Sequence, residues 1–288
     1  MANPQLSVPE NLAGDFFVDS TCIDCDTCRQ IAPQTFGEAA ATSFVRQQPS
    51  TSDDRRSALY ALVSCPTGSI GSRGDDSPKT VMGDFPLLIE EPVYYCGFNS
   101  PKSYGSNSYF VRHPQGNWLI ESPKFLPQLI RKFEAHGGIA NIFLSHRDDV
   151  ADADRYAAHF GSRRIIHREE LSSQPGAEFV LDGAGPWELA PGFVAIATPG
   201  HTQGHCVLLF QDRFLFTGDH LEWDRERERL EASENYCWYS WPRQTESMER
   251  LAGYSFEWIL PGHGQRIHLP AAEMRKRMAQ LVESMRQR

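Results

Sequence analysis

Three cysteines fall within seven residues, Cys22, Cys25 and Cys28, each separated from the next by two residues. A fourth, Cys65, comes much later and is followed at once by Pro66. The triple is too crowded for disulfides, yet it lets one loop present three soft sulfur ligands to a metal centre. The distant fourth cysteine completes a quartet, and the proline after it removes a backbone donor and fixes the local turn. Four thiolates in this order suit a cubane iron–sulfur unit. A zinc site, which more often pairs its ligands as two CxxC knuckles, and a redox dithiol are the alternatives.

The remaining cysteines, Cys96, Cys206 and Cys237, are scattered and read as small buried hydrophobes. The odd total of seven fits poorly with a fully paired secreted scaffold. The 288 residues suffice for one large domain plus a small one, with a core that needs no disulfide staples. A net charge of −9 argues against nucleic acid or an anionic membrane as the main partner. No apolar run is long enough to span a bilayer, and the start MANPQLSVPENLAGDF lacks the basic and apolar segments of a secretory signal. A cytoplasmic location is therefore expected.

Around the cysteines, Asp15–Val18 and Ser43–Val45 read as strands. Asp53 or Asp54 is expected to cap a helix carrying Leu59, Leu62 and Val63, which delivers Cys65. The polar, turn-rich stretch Gly71–Pro78 reads as a linker. The domain division that follows is 10–72 and 80–288. Beyond the linker, strand-like and helical patterns alternate. Ser108–Val111 and Asn117–Ile120 read as paired strands. Phe125, Leu126, Leu129, Ile130 and Phe133 recur at helical spacing up to Gly137-Gly138. Ile139–Leu144 reads as a buried strand, Cys206–Phe210 and Arg213–Phe216 as a hairpin around Gln211-Asp212, Trp258–Leu260 as a further strand, and 271–286 as a closing amphipathic helix. Four polar segments flank these apolar runs: one at His146, one at His201, one at Asp219 and one at His263. Loops at strand ends are where layered α/β folds place chemistry.

Two resemblances follow from these residues. The segment Asp19–Cys28 with Cys65-Pro66-Thr67-Gly68-Ser69-Ile70 resembles single-cluster bacterial-type ferredoxins, which implies one [4Fe-4S] cluster on Cys22, Cys25, Cys28 and Cys65. The four loops Ser145–Asp152, Thr198–His205, Thr217–His220 and Leu260–Gly264 resemble, in order, the ligand loops of the metallo-β-lactamase superfamily; Pro199-Gly200-His201-Thr202-Gln203-Gly204-His205 and Thr217-Gly218-Asp219 match almost verbatim. The implied fold is α/β, a four-layer αββα sandwich behind a small α+β ferredoxin-like domain. The run His146–Asp152 is similar to that of a divergent group of ferredoxin–lactamase fusions in cyanobacteria and plastids, so a plastid stroma is a second location consistent with the resemblance.

The superfamily's first ligand loop reads HxHxDH. Here His146 keeps the first histidine, Asp148 replaces the second, and Val150 and Ala151 replace the pair that holds a second ion. The resemblance therefore implies a thinned site with one Fe or Zn ion on His146, His201 and Asp219, with Asp148 as a fourth ligand. Those three positions match the iron ligands of persulfide dioxygenases, and a carboxylate at the Asp148 position resembles the flavodiiron proteins. Two histidines and one carboxylate with open positions suit mononuclear Fe(II). His263 and Asp148 are the candidate proton-handling residues. Asp149, Asp152 and Asp154 lie near enough in sequence to replace lost ligands, and His205 and His220 read as structural neighbours. The run Tyr236–Trp241 reads as the wall of a pocket or as ordinary core.

Three functional readings result. The first is a redox enzyme in which the cluster passes electrons to the mononuclear site, acting on a small molecule and served by an electron-donor protein. The second is a mononuclear hydrolase with a regulatory or structural cluster. The third is a metal-free lactamase-type domain in an electron carrier or interaction protein.

Overall fold

The computed structural model describes residues 2–74 and 77–288. They pack as two compact units, Met1–Ile139 and Ala140–Arg288.

In the first unit, β1 (Phe16–Val18) leads into the cysteine loop and the short α1 (Thr27–Ile31), followed by the hairpin of β2 (Phe36–Ala39) and β3 (Thr42–Val45). Then α2 (Ser52–Ser64) delivers Cys65, and β4 (Ile70–Ser72) pairs antiparallel with β1. Gly71 and Ser72, expected in a linker, thus belong to a strand; Asp75 and Asp76 of that stretch lie outside the described residues. The cap of α2 is Thr51, not an aspartate. Its hydroxyl accepts from the Asp54 amide, while the Asp54 carboxylate accepts from the Thr51 amide, a reciprocal capping box. Phe16, Val18, Phe36, Val45, Ala58, Leu59 and Ile70 form the small core.

After α3 (Lys79–Met82), an antiparallel meander runs through β5 (Leu87–Glu90), β6 (Val93–Tyr95), β7 (Tyr109–Val111) and β8 (Trp118–Ile120). The unit closes with α4 (Pro127–Ala135), whose Leu129, Ile130 and Phe133 are buried; Phe133 lies 4.9 Å, ring to ring, from Phe110. Phe125 and Leu126 precede this helix because Pro127 takes its first position.

The second unit begins with β9 (Asn141–Phe143), α5 (Ala153–Phe160), β10 (Arg163–His167) and β11 (Phe179–Leu181), the three strands running parallel. A second sheet orders β12 (Trp187–Ala190), β13 (Phe193–Ala197), β14 (Cys206–Phe210), β15 (Phe214–Gly218), β18 (Trp258–Pro261) and β19 (Ile267–His268). Between β15 and β18 lie the ribbon of β16 (Glu222–Asp224) and β17 (Arg229–Glu231) and then α6 (Trp241–Leu251); α7 (Ala271–Arg286) ends the chain. Met248 and Leu251 of α6 and Met274, Met278, Leu281 and Met285 of α7 cover Ile196, Val207, Leu209, Leu215 and Ile259 on one face of this sheet. Each such side chain contributes about 1.5–3 kcal/mol by leaving water. Among the described residues no helix is long and apolar enough to cross a membrane.

Strand directions then decide where the polar loops fall. Because β15 and β18 are parallel, with a register shift between Phe216 and Gly218, Gly218 lies opposite Pro261, so Asp219 and His263 leave the sheet at the same edge. The antiparallel pairing of β14 with both β13 and β15 brings the 198–205 loop to that edge too. The Cys206 amide donates to the Ser145 carbonyl, which ties the end of β9 beside them. Four segments distant in sequence thus converge.

Candidate functional site

In the first unit, the cysteine loop winds through two left-handed residues, Asp24 (φ 56°) and Asp26 (φ 63°), a conformation short polar side chains tolerate. Arg29 locks both aspartates, at 2.6 Å to Asp24 and 2.5 Å to Asp26. Backbone amides aim at the sulfurs: Asp24 and Ser43 donate to Cys22 Sγ at 3.5 and 3.4 Å, and Ser69 donates to Cys65 Sγ at 3.3 Å. Such bonds stabilise charge on cluster thiolates. Burial pushes the Cys25 thiol up to about 11, with the nearby Cys65 and Cys22 adding to the rise against hydrogen bonds from Thr27. Cys28 is pushed up further, again chiefly by burial. Thiolates gathered this way require metal cations to offset their charge. Gly105 closes over the loop with φ +91°; a Cβ there would come within 3.0 Å of Cys25 Sγ and Pro66 Cγ. These residues fit a cubane cluster.

In the second unit, the four converging loops assemble one pocket. His146 Nε2 lies 3.7 Å from both Asp148 Oδ2 and Asp219 Oδ2; His201 Nε2 lies 3.8 and 3.7 Å from the same two atoms. Metal bonds of about 2.0–2.2 Å put neighbouring ligand atoms of a tetrahedral ion roughly 3.3–3.6 Å apart. The set is therefore a few tenths of an ångström wider than a closed ion site. Both imidazoles are oriented from behind: the His201 Nδ1–H donates to the Tyr236 carbonyl, and His146 Nδ1 meets Ser145 Oγ at 2.9 Å. Each Nε2 therefore faces the pocket, buried and without a hydrogen-bond partner among the described residues, as is Asp219 Oδ1. Buried polar atoms left in this state are costly, and a cation removes the cost. Gly218, at φ +50°, is needed where the β15 edge meets this wall: a Cβ would come within 2.4 Å of Ser145 Oγ and 2.7 Å of His205 Nε2.

Electrostatics agree with the geometry. Burial, reinforced by neighbouring Asp149, raises the Asp219 carboxyl against the pull of His263, His146 and His201. Burial alone would lower His263, yet Asp219, Asp149 and Glu222 hold it up to about 10. Burial likewise opposes the charge on His201, but Asp148, Asp219, the Tyr236 carbonyl and Asp149 raise it overall. Asp148 is held below the usual carboxylate range, first by His201. The three aspartates thus favour positive charge on His201 and His263, as they would favour a metal ion.

All the sequence-derived residues of this pocket come together, with different neighbours than expected. Of the three nearby aspartates, only Asp149 enters. Asp152 precedes α5, and Asp154 lies in its first turn. His205 bonds Thr198 Oγ1 at 2.9 Å and stacks on His220 at 4.5 Å; burial first, then neighbouring imidazoles, drives both well below the ordinary value. They remain neutral packing residues. Tyr236, Trp238 and Tyr239 are exposed, and the Trp238 ring stands 6.1 Å from that of His201.

Sequence reasoning missed Glu170. It is fully buried in a short 3-10 helix, Arg168–Ser173, and accepts from the Gly204 amide at 2.7 Å and the Arg147 amide at 3.2 Å. One carboxylate thus fastens the loops that carry His201 and His146. Glu170→Gln, which keeps the shape but turns one acceptor into a donor, should weaken metal binding at the pocket by about 10–100-fold, the usual scale for groups behind metal ligands. Competitive chelation measures it, and unchanged affinity would show that the two loops hold themselves.

Comparison with known proteins places these features. Residues 18–72 match the family described as the 4Fe-4S single cluster domain of Ferredoxin I. The hydroxyacylglutathione hydrolase of Salmonella typhi is 30% identical over 127 residues, 43% of this chain and 50% of the relative. That of Salmonella arizonae is 29% identical over the same length. The chain spans about half the length of these curated relatives. Among solved structures, the DIM-1 metallo-β-lactamase aligns with a TM-score of 0.52 at 14% identity, covering 68% of this chain and 95% of its own. A metallo-β-lactamase family protein from Thermus thermophilus aligns with a TM-score of 0.50 at 17% identity, covering 69% and 81%. The chain joins a single-cluster [4Fe-4S] ferredoxin domain to an α/β sandwich of the metallo-β-lactamase fold.

Proposed function

We propose that the protein is a redox enzyme whose pocket at His146, His201, Asp148 and Asp219 holds a metal ion, iron by preference, and works with electrons from the cluster. The observation that carries the reading is the donor set: two imidazoles and two carboxylates 3.7–3.8 Å apart, with no thiolate, in a chain that also carries the cysteine quartet. Iron bound there would supply open positions for a small substrate or dioxygen, and the cluster would supply single electrons. The chain's own residues do the rest. The Tyr236 carbonyl holds His201 in the ligand tautomer, and Ser145 orients the His146 ring. Asp148, 50% exposed and held ionised, stands at the mouth, where it can take a proton from an arriving thiol or acid. The exposed rings of Tyr236 and Trp238 flank that mouth and suit the apolar part of a small molecule. A separate electron-donor protein would deliver electrons to the cysteine loop.

The second reading, metal-dependent hydrolysis, is favoured by the curated relatives, which are hydroxyacylglutathione hydrolases. One experiment separates the two. The cluster is reduced anaerobically, then mixed with oxygen and small thiols or persulfides. Cluster reoxidation with substrate-dependent oxygen uptake in the wild type, both lost in His201→Ala, supports the redox reading. Equal traces in both proteins, with hydroxyacylglutathione hydrolysed at one rate whatever the cluster's redox state, support the hydrolase.

A further inference from the structure

The other half of the pocket carries a donor set that the ligand pattern does not contain. Where related loops carry the two residues for a second ion, this chain has Val150 and Ala151. Asp149 falls between pattern positions, yet its side chain is only 1% exposed and faces His263, while Asp148 is half exposed. Asp149 Oδ1 lies 3.7 Å from His263 Nε2, and His263 Nε2 lies 4.0 Å from Asp219 Oδ2. Donor atoms of Asp149, Asp219 and the buried His146 all fall within 4.8 Å of one another.

We infer that Asp149, Asp219 and His263 form a second cation position, with Asp219 bridging it to the first. The inference rests on the first position being a metal site, since Asp219 is common to both. Asp219 is built for the bridge: Oδ2 faces His146, His201 and His263, and Oδ1 is buried without a hydrogen-bond partner among the described residues. Two carboxylates confined together in a buried pocket repel each other, and burial makes each charge costly; one more cation relieves both. The donor set is richer in oxygen than one built from the usual histidine-bearing pattern. It therefore suits a hard divalent ion such as Mn(II) or Fe(II) better than zinc. His263 becomes a ligand here, which leaves Asp148 as the proton-handling group.

The test uses the intact, cluster-bearing protein after mild chelation of the pocket, dialysed against Mn(II). Wild type should bind two Mn(II) per chain, with the altered electron paramagnetic resonance of a coupled pair. Asp149→Asn, which keeps size but removes charge, should bind one and give an isolated-ion spectrum. One Mn(II) in the wild type overturns the second position while leaving the first intact. None in the wild type overturns both. Unchanged cluster absorption in the variant checks that it folds, and the wild-type count decides the matter if it does not.

Discussion

Cys65→Ser is expected to bleach the broad visible absorption of the cluster and reduce iron from about four atoms per chain to a small residue of that value. The reason is structural as well as chemical. Cys65 ends α2, the longest helix of the N-terminal segment, and its sulfur accepts from the Ser69 amide at the start of the β4 segment. The Lys124 ammonium also donates to the Pro66 carbonyl at 2.8 Å, so the fourth ligand is joined to the rest of its unit. The core beneath is small, about a dozen buried apolar side chains. In such modules the free energy of metal binding is largely folding free energy. Losing one thiolate should therefore lower the denaturation midpoint of the first unit as well as remove iron. Cys96→Ala, at a buried cysteine outside the quartet, should keep the full spectrum. Full absorption in Cys65→Ser, or bleaching in Cys96→Ala, would contradict the ligand assignment.

Asp219→Asn should weaken metal binding at the second-unit pocket by more than two orders of magnitude, beyond the 10–100-fold expected for groups behind the ligands. Its Oδ2 is the common vertex of the pocket, 3.7 Å from His146 and His201 and 4.0 Å from His263. An amide of the same shape keeps the packing and removes the charge that offsets a cation. The cation-free protein offers a second reading of the same change. His263 is raised from 6.5 to about 10, foremost among its attractive causes by Asp219. A histidine raised on folding adds stability that is fully present below about pH 6.5 and lost as pH rises through about 10. Cation-free wild type should therefore become easier to unfold by urea across that window, and Asp219→Asn should show a flatter profile. Parallel profiles would mean that Asp219 does not hold the His263 proton.

Much of this architecture is legible in the sequence because its signals are local. A cysteine triple with a distant Cys-Pro is a chemical statement in itself, and the hairpin at Gln211-Asp212, both left-handed in the structure, follows from two apolar runs with a polar pair between. The closing helix falls at Ala271–Arg286, where its apolar spacing put it. What was hidden depends on direction. Asp148 and Asp149 both reach the pocket, the first toward His146 and His201 and the second toward His263, on a backbone path between β9 and α5 that includes Ala151 at φ 35°. No spacing rule reports such a turn. Glu170 was invisible for a different reason. Its hydrogen-bond partners are the backbone amides of Arg147 and Gly204, which no residue pattern announces. The cap of α2 went to Thr51 because the aspartate signal belonged to the third helical residue, the other half of the same box.

The most direct test of the whole account is metal counting on protein purified without oxygen, wild type beside Asp219→Asn. The account predicts about four irons per chain held by the cysteines in both proteins, and at least one further metal ion in the wild type alone. Four irons and nothing more in the wild type would contradict it, leaving a ferredoxin domain joined to a lactamase fold whose converged histidines and aspartates hold only protons.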